Sequence, residues 1–265
     1  MSQVLESTQK AEPEDRDLVG SLAKGLRVLD ILAGAPSGLR LTEVAEAARL
    51  TRAGARRLLL TLVAEGYARQ EGRLFLLSAK LLSLTRAWLG GAPLWAYAEP
   101  VMREVSQALG ESCSAAVLEG EDVVYVARVA GRRIVSVSLS VGARLPAYCT
   151  SMGRVLLSDL DDAELARFLS KAAIRANTPK TITDREALAD RVAEARRAGY
   201  AIVDEELELG LRSIAVPVRA RSGRVVAAIN VSTQSARFSC DEMREVILPP
   251  LLEAAAKIED FLALQ

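Results

Sequence analysis

The segment from Ser21 to Leu76 restricts the fold more than any other, because three short helical periods precede a turn-linked pair of extended runs. Leu22, Leu26, Leu29 and Ala33 recur at helical spacing behind Ser21, the expected N-cap, until Gly34, Pro36 and Gly38 stop the helix. Thr42 is the expected cap of a second, short helix with Val44, Ala45 and Ala48 inward, ending at Arg49-Leu50. Thr51 caps a third, which runs to Gly66. Tyr67 to Gln70 and Arg73 to Leu76 then read as extended, joined by Glu71-Gly72 in a tight hairpin. Three helices followed by a hairpin form an all-α winged helix-turn-helix.

The third helix has two unlike faces. At about 100° per residue, Ala55, Leu58, Leu59 and Leu62 fall in one arc, and Arg52, Ala53, Arg56 and Arg57 fall in the opposite one. A recognition helix needs this division. Phosphates call for guanidinium charge, base edges are read by side chains near the helix N-terminus, and Arg suits guanine. Gly54 and Ala53 leave room for close approach, and Arg73 beside the hairpin turn is placed for an adjacent phosphate or minor groove. The helix N-termini at Thr42 and Thr51 offer backbone N–H groups to phosphates. A solvated basic face on a small helical bundle is the plainer reading; the second capped helix and the wing favour the DNA-binding motif.

Charge distribution agrees with that reading although the formal net charge is zero. Residues 1–19 hold five acids against Lys10 and Arg16, net −3, with no hydrophobic period, and read as a flexible acidic arm. Residues 20–80 hold ten bases against five acids, net +5. The winged unit is assigned to 20–78 and a helical linker to 79–97, where Leu81, Leu82, Leu84, Trp88 and Leu89 form a candidate dimer seam before Pro93. From 98 to 265 the pattern changes to one helix, β-branched runs at Ser114–Leu118, Val123–Val129 and Ile134–Leu139, and a helical middle with a Thr183/Glu186 capping box closed by Gly199. Strands return at Ile214–Val218 and Val225–Val231, and a final helix starts near Cys240. This order fits an antiparallel sheet flanked by helices, the α+β class.

Composition removes several functions. The chain has no histidine, which excludes Ser-His and Cys-His nucleophile pairs and every His-containing metal site. Cys113, Cys149 and Cys240 are an odd number at wide spacing, and no leader is apparent, so the cytoplasm is expected and a disulfide framework is not. No apolar run approaches the roughly 18 to 20 residues that span a bilayer. No metal, cofactor or membrane partner is expected.

LAKGLRVLDIL from Leu22 to Leu32, followed by LTEVAEAARLTRAGARRLLLTLVAEGYARQEG, resembles the N-terminal domain of the IclR family of bacterial regulators. GEDVVYVARV, LPAYCTSMGRVLLS, TITDREAL, AGYAIVDEELELGLRSIAVPV and GRVVAAINVS extend the resemblance over residues 20–260. The TRAGARRLLLTL helix and the LPAYCTSMGRVLLS segment are most similar to the branch controlling aromatic-acid catabolism through the β-ketoadipate pathway, the protocatechuate and 4-hydroxybenzoate regulators.

The resemblance implies a GAF-like C-terminal domain with a small-molecule pocket between a curved sheet and the helix opening at the CTSMG segment. Tyr148, Cys149, Thr150, Ser151, Met152 and Gly153 would form one wall, and Val203, Asp204, Ser213, Asn230 and Ser232 the other by family position, with Asn230 standing where the family has a serine. Free N–H groups at that helix start suit a carboxylate. The expected partners are double-stranded DNA as a palindromic operator, with half-sites about one helical turn or multiples apart, a small carboxylate effector, and a second copy in a homodimer or tetramer. The chain is expected not to be an enzyme. Two other readings stay open: an enzyme or redox sensor using Cys149 or the acids at Asp204 to Glu206, and a DNA-binding oligomer that no ligand regulates.

Overall fold

The computed structural model describes residues 19–81, 93–131 and 139–264, which divide into two compact units at Gly91/Ala92. The acidic arm up to residue 18, most of the linker and the strand expected at Ile134–Leu139, up to residue 138, lie outside the described residues.

In the first unit, α1 (Gly20–Ala33), β1 (Leu39–Arg40), α2 (Leu41–Ala47), α3 (Arg52–Ala64), β2 (Ala68–Glu71) and β3 (Leu74–Leu77) follow in order. The strands form one antiparallel sheet, β1-β3-β2, in which Arg69 faces Leu76 and Leu39 faces Phe75. The wing therefore has a third strand, β1, too short for a pattern of alternation to reveal. Val28, Leu32, Val44, Ala48, Leu59, Ala68 and Phe75 make the core.

Three expectations here need correction. Ser21 does not cap α1, which starts at Gly20 behind Val19 with no side-chain cap. Thr42 does not cap α2; the helix begins one residue earlier, and the Arg40 N–H is held by the Glu43 carboxylate at 2.6 Å. The inward face of α1 is Val28 and Leu32, while Leu22 and Leu26 are 62% and 53% exposed. Both stripes of α1 are apolar at helical period, so packing against α2 and α3 decided between them.

The second unit is a six-stranded antiparallel sheet, β6-β5-β4-β9-β8-β7, with helices on both faces. Its elements are α4 (Pro93–Leu109), β4 (Ser112–Glu119), β5 (Asp122–Val129), β6 (Arg144–Pro146), α5 (Ser151–Leu157), α6 (Asp162–Lys171), α7 (Arg185–Ala198), β7 (Ala201–Asp204), β8 (Leu211–Arg219) and β9 (Val225–Gln234). A last stretch runs from α8 (Cys240–Glu242) through a π-helical turn (Met243–Ile247) into α9 (Leu248–Ala263). Helix α4 starts at Pro93, inside the stretch assigned to the linker, because proline is well tolerated in a first turn. Asp184, not Thr183, caps α7 by accepting from the Ala187 N–H at 2.8 Å, and Gly199 ends it with φ +75°.

One face of the sheet packs on α4 and α9 through Met102, Ile214, Ile229, Val231, Ile247, Leu251 and Ile258, and Tyr97 stacks on Phe261 at 4.3 Å. Each such fully buried aliphatic side chain contributes about 1.5–3 kcal/mol relative to exposure. The other face packs on α5 and α7 through smaller residues, Ala116, Ala201, Ala215 and Ala228, with Met152, Val155, Leu188 and Val192. A cavity lies on this second face, beside Tyr125 and Cys149.

Candidate DNA-binding face and effector cavity

Helix α3 buries Ala55 and Leu59, half-buries Leu58 and Leu62, and exposes Arg52, Ala53, Arg56 and Arg57. The Thr51 side chain accepts from the Gly54 N–H at 3.1 Å and fixes the start of the helix. Arg73 is exposed at the β2-β3 turn, and Thr42 is exposed in the first turn of α2. Among the described residues none of Arg52, Arg56, Arg57 and Arg73 forms an ion pair, whereas Arg69 is engaged by Glu71. Unpaired guanidinium groups on one exposed face are suited to phosphate oxygens.

In the second unit a small cavity of about 30 Å³ lies between the turn that leads into α5 and the sheet. That is the space of about one water molecule, so a ligand the size of an aromatic acid needs the surrounding walls to move apart. Strand register builds its wall. Ser112 on β4 pairs with Ser232 on β9, Ser232 with Ser213 on β8, and Ser213 with Val203 on β7. The neighbouring row runs Arg128, Ser114, Asn230 across β5, β4 and β9. Paired residues in register share a face, so these two rows place serine hydroxyls, an amide and a guanidinium on the cavity side of an otherwise apolar layer. The Asn230 amide donates to Ser232 Oγ at 3.1 Å.

Cys149, Thr150, Val203, Ser213, Asn230 and Ser232 all line this cavity. Tyr148, Ser151, Met152, Gly153 and Asp204 do not. The Tyr148 hydroxyl donates to the Arg175 carbonyl at 2.8 Å, Met152 is part of the core, and Gly153 lies against the Ala147 carbonyl. Ser151 is buried with its hydroxyl unpartnered. Asp204 turns to Arg212 at 2.6 Å and Lys180 at 3.0 Å; burial opposes its charged form, but these cations outweigh it and hold its pKa below the ordinary value. Its contribution to stability is present above the ordinary carboxylate pKa and is lost as pH falls through the depressed one.

Ser112, Tyr125, Arg128, Leu139, Leu207 and Leu211 complete the lining and were not anticipated. The alternation of Ser112 with Ser114 in front of an apolar strand was a usable signal for Ser112. None existed for Arg128, whose side of the sheet depends on an irregularity in β5 rather than on alternation.

At the α5 N-terminus, where a carboxylate was expected, one backbone N–H is already taken. Thr150 Oγ1 already accepts from the Gly153 N–H at 3.2 Å and donates to the Pro146 carbonyl at 3.2 Å. Cys149 is also unlike an activated thiol. Burial first, and the Glu206 charge second, push its pKa to about 12, so a nucleophilic thiolate is not available near neutrality. Burial pushes Tyr125 to about 12 against the opposing Arg128 charge, leaving it a neutral phenol. Among the described residues no group of three or more side chains could hold a metal ion, and no helix is long and apolar enough to cross a membrane.

A winged helix-turn-helix with a bare basic recognition face, joined in one chain to an α+β unit with a polar-lined cavity, defines a helix-turn-helix transcription regulator. Residues 21–72 match the IclR helix-turn-helix domain and residues 87–260 the bacterial transcriptional regulator IclR C-terminal model, so the chain belongs to the IclR family. It is 43% identical to the Pca regulon regulatory protein of Pseudomonas putida, over 91% of this chain and 83% of that one. The crystal structure of a Rhodococcus transcriptional regulator is 43% identical, with a TM-score of 0.81, covering 92% of this chain and 98% of the other. An IclR homolog from Microbacterium hydrocarbonoxydans, crystallised with 4-hydroxybenzoate, is 28% identical, with a TM-score of 0.80 over 92% of this chain and 99% of that one. These similarities agree with the β-ketoadipate branch of the family.

Proposed function

We propose that the protein is an effector-responsive regulator of aromatic-acid catabolism, binding a palindromic operator as a homodimer or tetramer and a small carboxylate in the α5 cavity. The observation that carries the reading is the pairing of two polar sheet rows with that cavity, on a chain whose recognition helix presents unpaired arginines. The P. putida relative's role in the Pca regulon and the 4-hydroxybenzoate bound by the M. hydrocarbonoxydans homolog support the ligand class. Domain limits of 20–78, 79–97 and 98–265 go with this proposal, with the middle stretch carrying the coupling. A ligand shifts DNA affinity only by binding two arrangements of the chain unequally.

Two measurements test it. Arg56→Ala is expected to weaken operator binding roughly 5- to 150-fold, the effect of losing a contact worth about 1–3 kcal/mol. A mobility-shift titration at fixed salt reads this, and unchanged affinity removes Arg56 from the interface. A thermal-shift series with protocatechuate, 4-hydroxybenzoate, β-ketoadipate and glyoxylate should stabilise the protein with at least one acid, by about 2.7 kcal/mol at a hundredfold excess over Kd. Stabilisation by none counts against the effector reading and leaves the fold untouched.

A further inference from the structure

We propose that Arg128 is the residue that recognises the carboxylate of the ligand in this cavity, carried there by a β-bulge at Val126, and that it sets the specificity of the site for acids. The inference rests on the reading of the cavity as the effector site.

The bulge is visible in the register of β4 and β5. Cys113 faces Val129, Ser114 faces Arg128 and Ala115 faces Ala127, but Ala116 faces Tyr125, so Val126 is an extra residue on β5. Val123 and Tyr125 lie in the α5-side core. Strict alternation from them would send Ala127 to the cavity and Arg128 to the opposite face, among Met102, Val105 and Ile229. The inserted residue reverses the phase, so Val126, Ala127 and Val129 join that opposite core and Arg128 lines the cavity.

Its electrostatic situation differs from that of the other arginines held within this unit. Arg154 is paired with Glu206 at 2.6 Å, Arg212 with Asp204 at 2.6 Å, and Arg237 with Glu111. Among the described residues Arg128 has one hydrogen bond, to Ser114 Oγ at 3.4 Å, and no carboxylate partner. Arg128 is half-buried at this pocket without an opposite charge beside it, and its planar fork matches a carboxylate bidentately. A second group in the same space is unsatisfied. Asn230, 3% exposed and one strand beyond Ser114 in the same row, leaves Oδ1 without a partner. The cavity thus offers a cation for a carboxylate and, at Asn230 Oδ1, an open acceptor for an O–H or N–H elsewhere on the same ligand.

Calorimetric titration of the full chain with 4-hydroxybenzoate and with its neutral isostere 4-hydroxybenzamide tests the assignment. The parent should prefer the acid by at least about tenfold, Arg128→Gln should erase that preference while changing amide affinity by less than about threefold, and Arg128→Lys should keep part of it. Equal binding of acid and amide by the parent overturns the proposal without any variant. So does an Arg128→Gln protein that still prefers the acid. If the parent binds 4-hydroxybenzoate, protocatechuate and β-ketoadipate not at all, the effector reading itself falls and Arg128 with it. Acid binding that ignores Arg128 leaves the effector reading in place.

Discussion

Glu206→Ala is expected to lower the stability of the C-terminal unit by about 3–5 kcal/mol, because it leaves the Arg154 guanidinium buried without its counter-charge. The two side chains are 4% and 7% exposed and meet at 2.6 Å. Glu206 also accepts from the Ile182 N–H at 3.3 Å, while Arg154 Nε has no partner to fall back on. For a unit of this size the loss corresponds to a drop in Tm on the order of 10 °C, readable by calorimetry. The double variant Arg154→Met/Glu206→Leu should recover most of it, since an apolar pair of similar volume removes both desolvation costs together. A single variant within about 1 kcal/mol of the parent would show that water reaches the pair. The bridge also bears on function. It ties α5, under the cavity, to the loop after β7 that supplies Leu207, so Glu206→Ala should weaken ligand binding as well.

Gly153→Ala should cost as much or more. A Cβ at this position would stand 2.0 Å from the Ala147 carbonyl oxygen and 2.5 Å from its carbon, and both are backbone atoms in the short turn Ala147–Cys149. No side-chain rotation relieves that contact. Helix α5 must lift away from the turn, which places the cost at or above the ~3 kcal/mol upper end of ordinary overpacking. The measurable result is little soluble protein, or a Tm far below the parent's with the near-ultraviolet signal of the C-terminal unit reduced. An Ala variant as stable as the parent would mean that α5 tolerates displacement by more than 1 Å. The conformational freedom of glycine plays no part here; what matters is the absent side chain at a close crossing of backbones.

These two positions show what kind of information the sequence withheld. Gly153 stood in a segment read as contacting ligand, and it lies instead against the Ala147 backbone, where a Cβ has no room. Asp204 was placed among ligand contacts and instead pairs with Arg212 and Lys180. Ser213, Asn230 and Ser232 came from the resemblance to the family, since no spacing within a single strand says which strand will lie beside it.

The winged helix-turn-helix was legible because its determinants are local: turn residues, a Thr51 cap and a helix whose apolar and basic arcs are separated by phase alone. The antiparallel α+β class was legible from strand and helix order for the same reason. Which apolar stripe of α1 turns inward was not, since Leu22/Leu26 and Val28/Leu32 have equal periodicity and only the partner surface discriminates. The cavity was decided at the same level. Its rows exist because β4, β9, β8 and β7 pair in one register, and its cation is present because a single bulged residue, Val126, reverses the alternation of β5. Local pattern determines which elements form and which helix face carries charge. Pairing across distant strands decides which side chains share a space, because that depends on contacts that no stretch of the chain makes with itself.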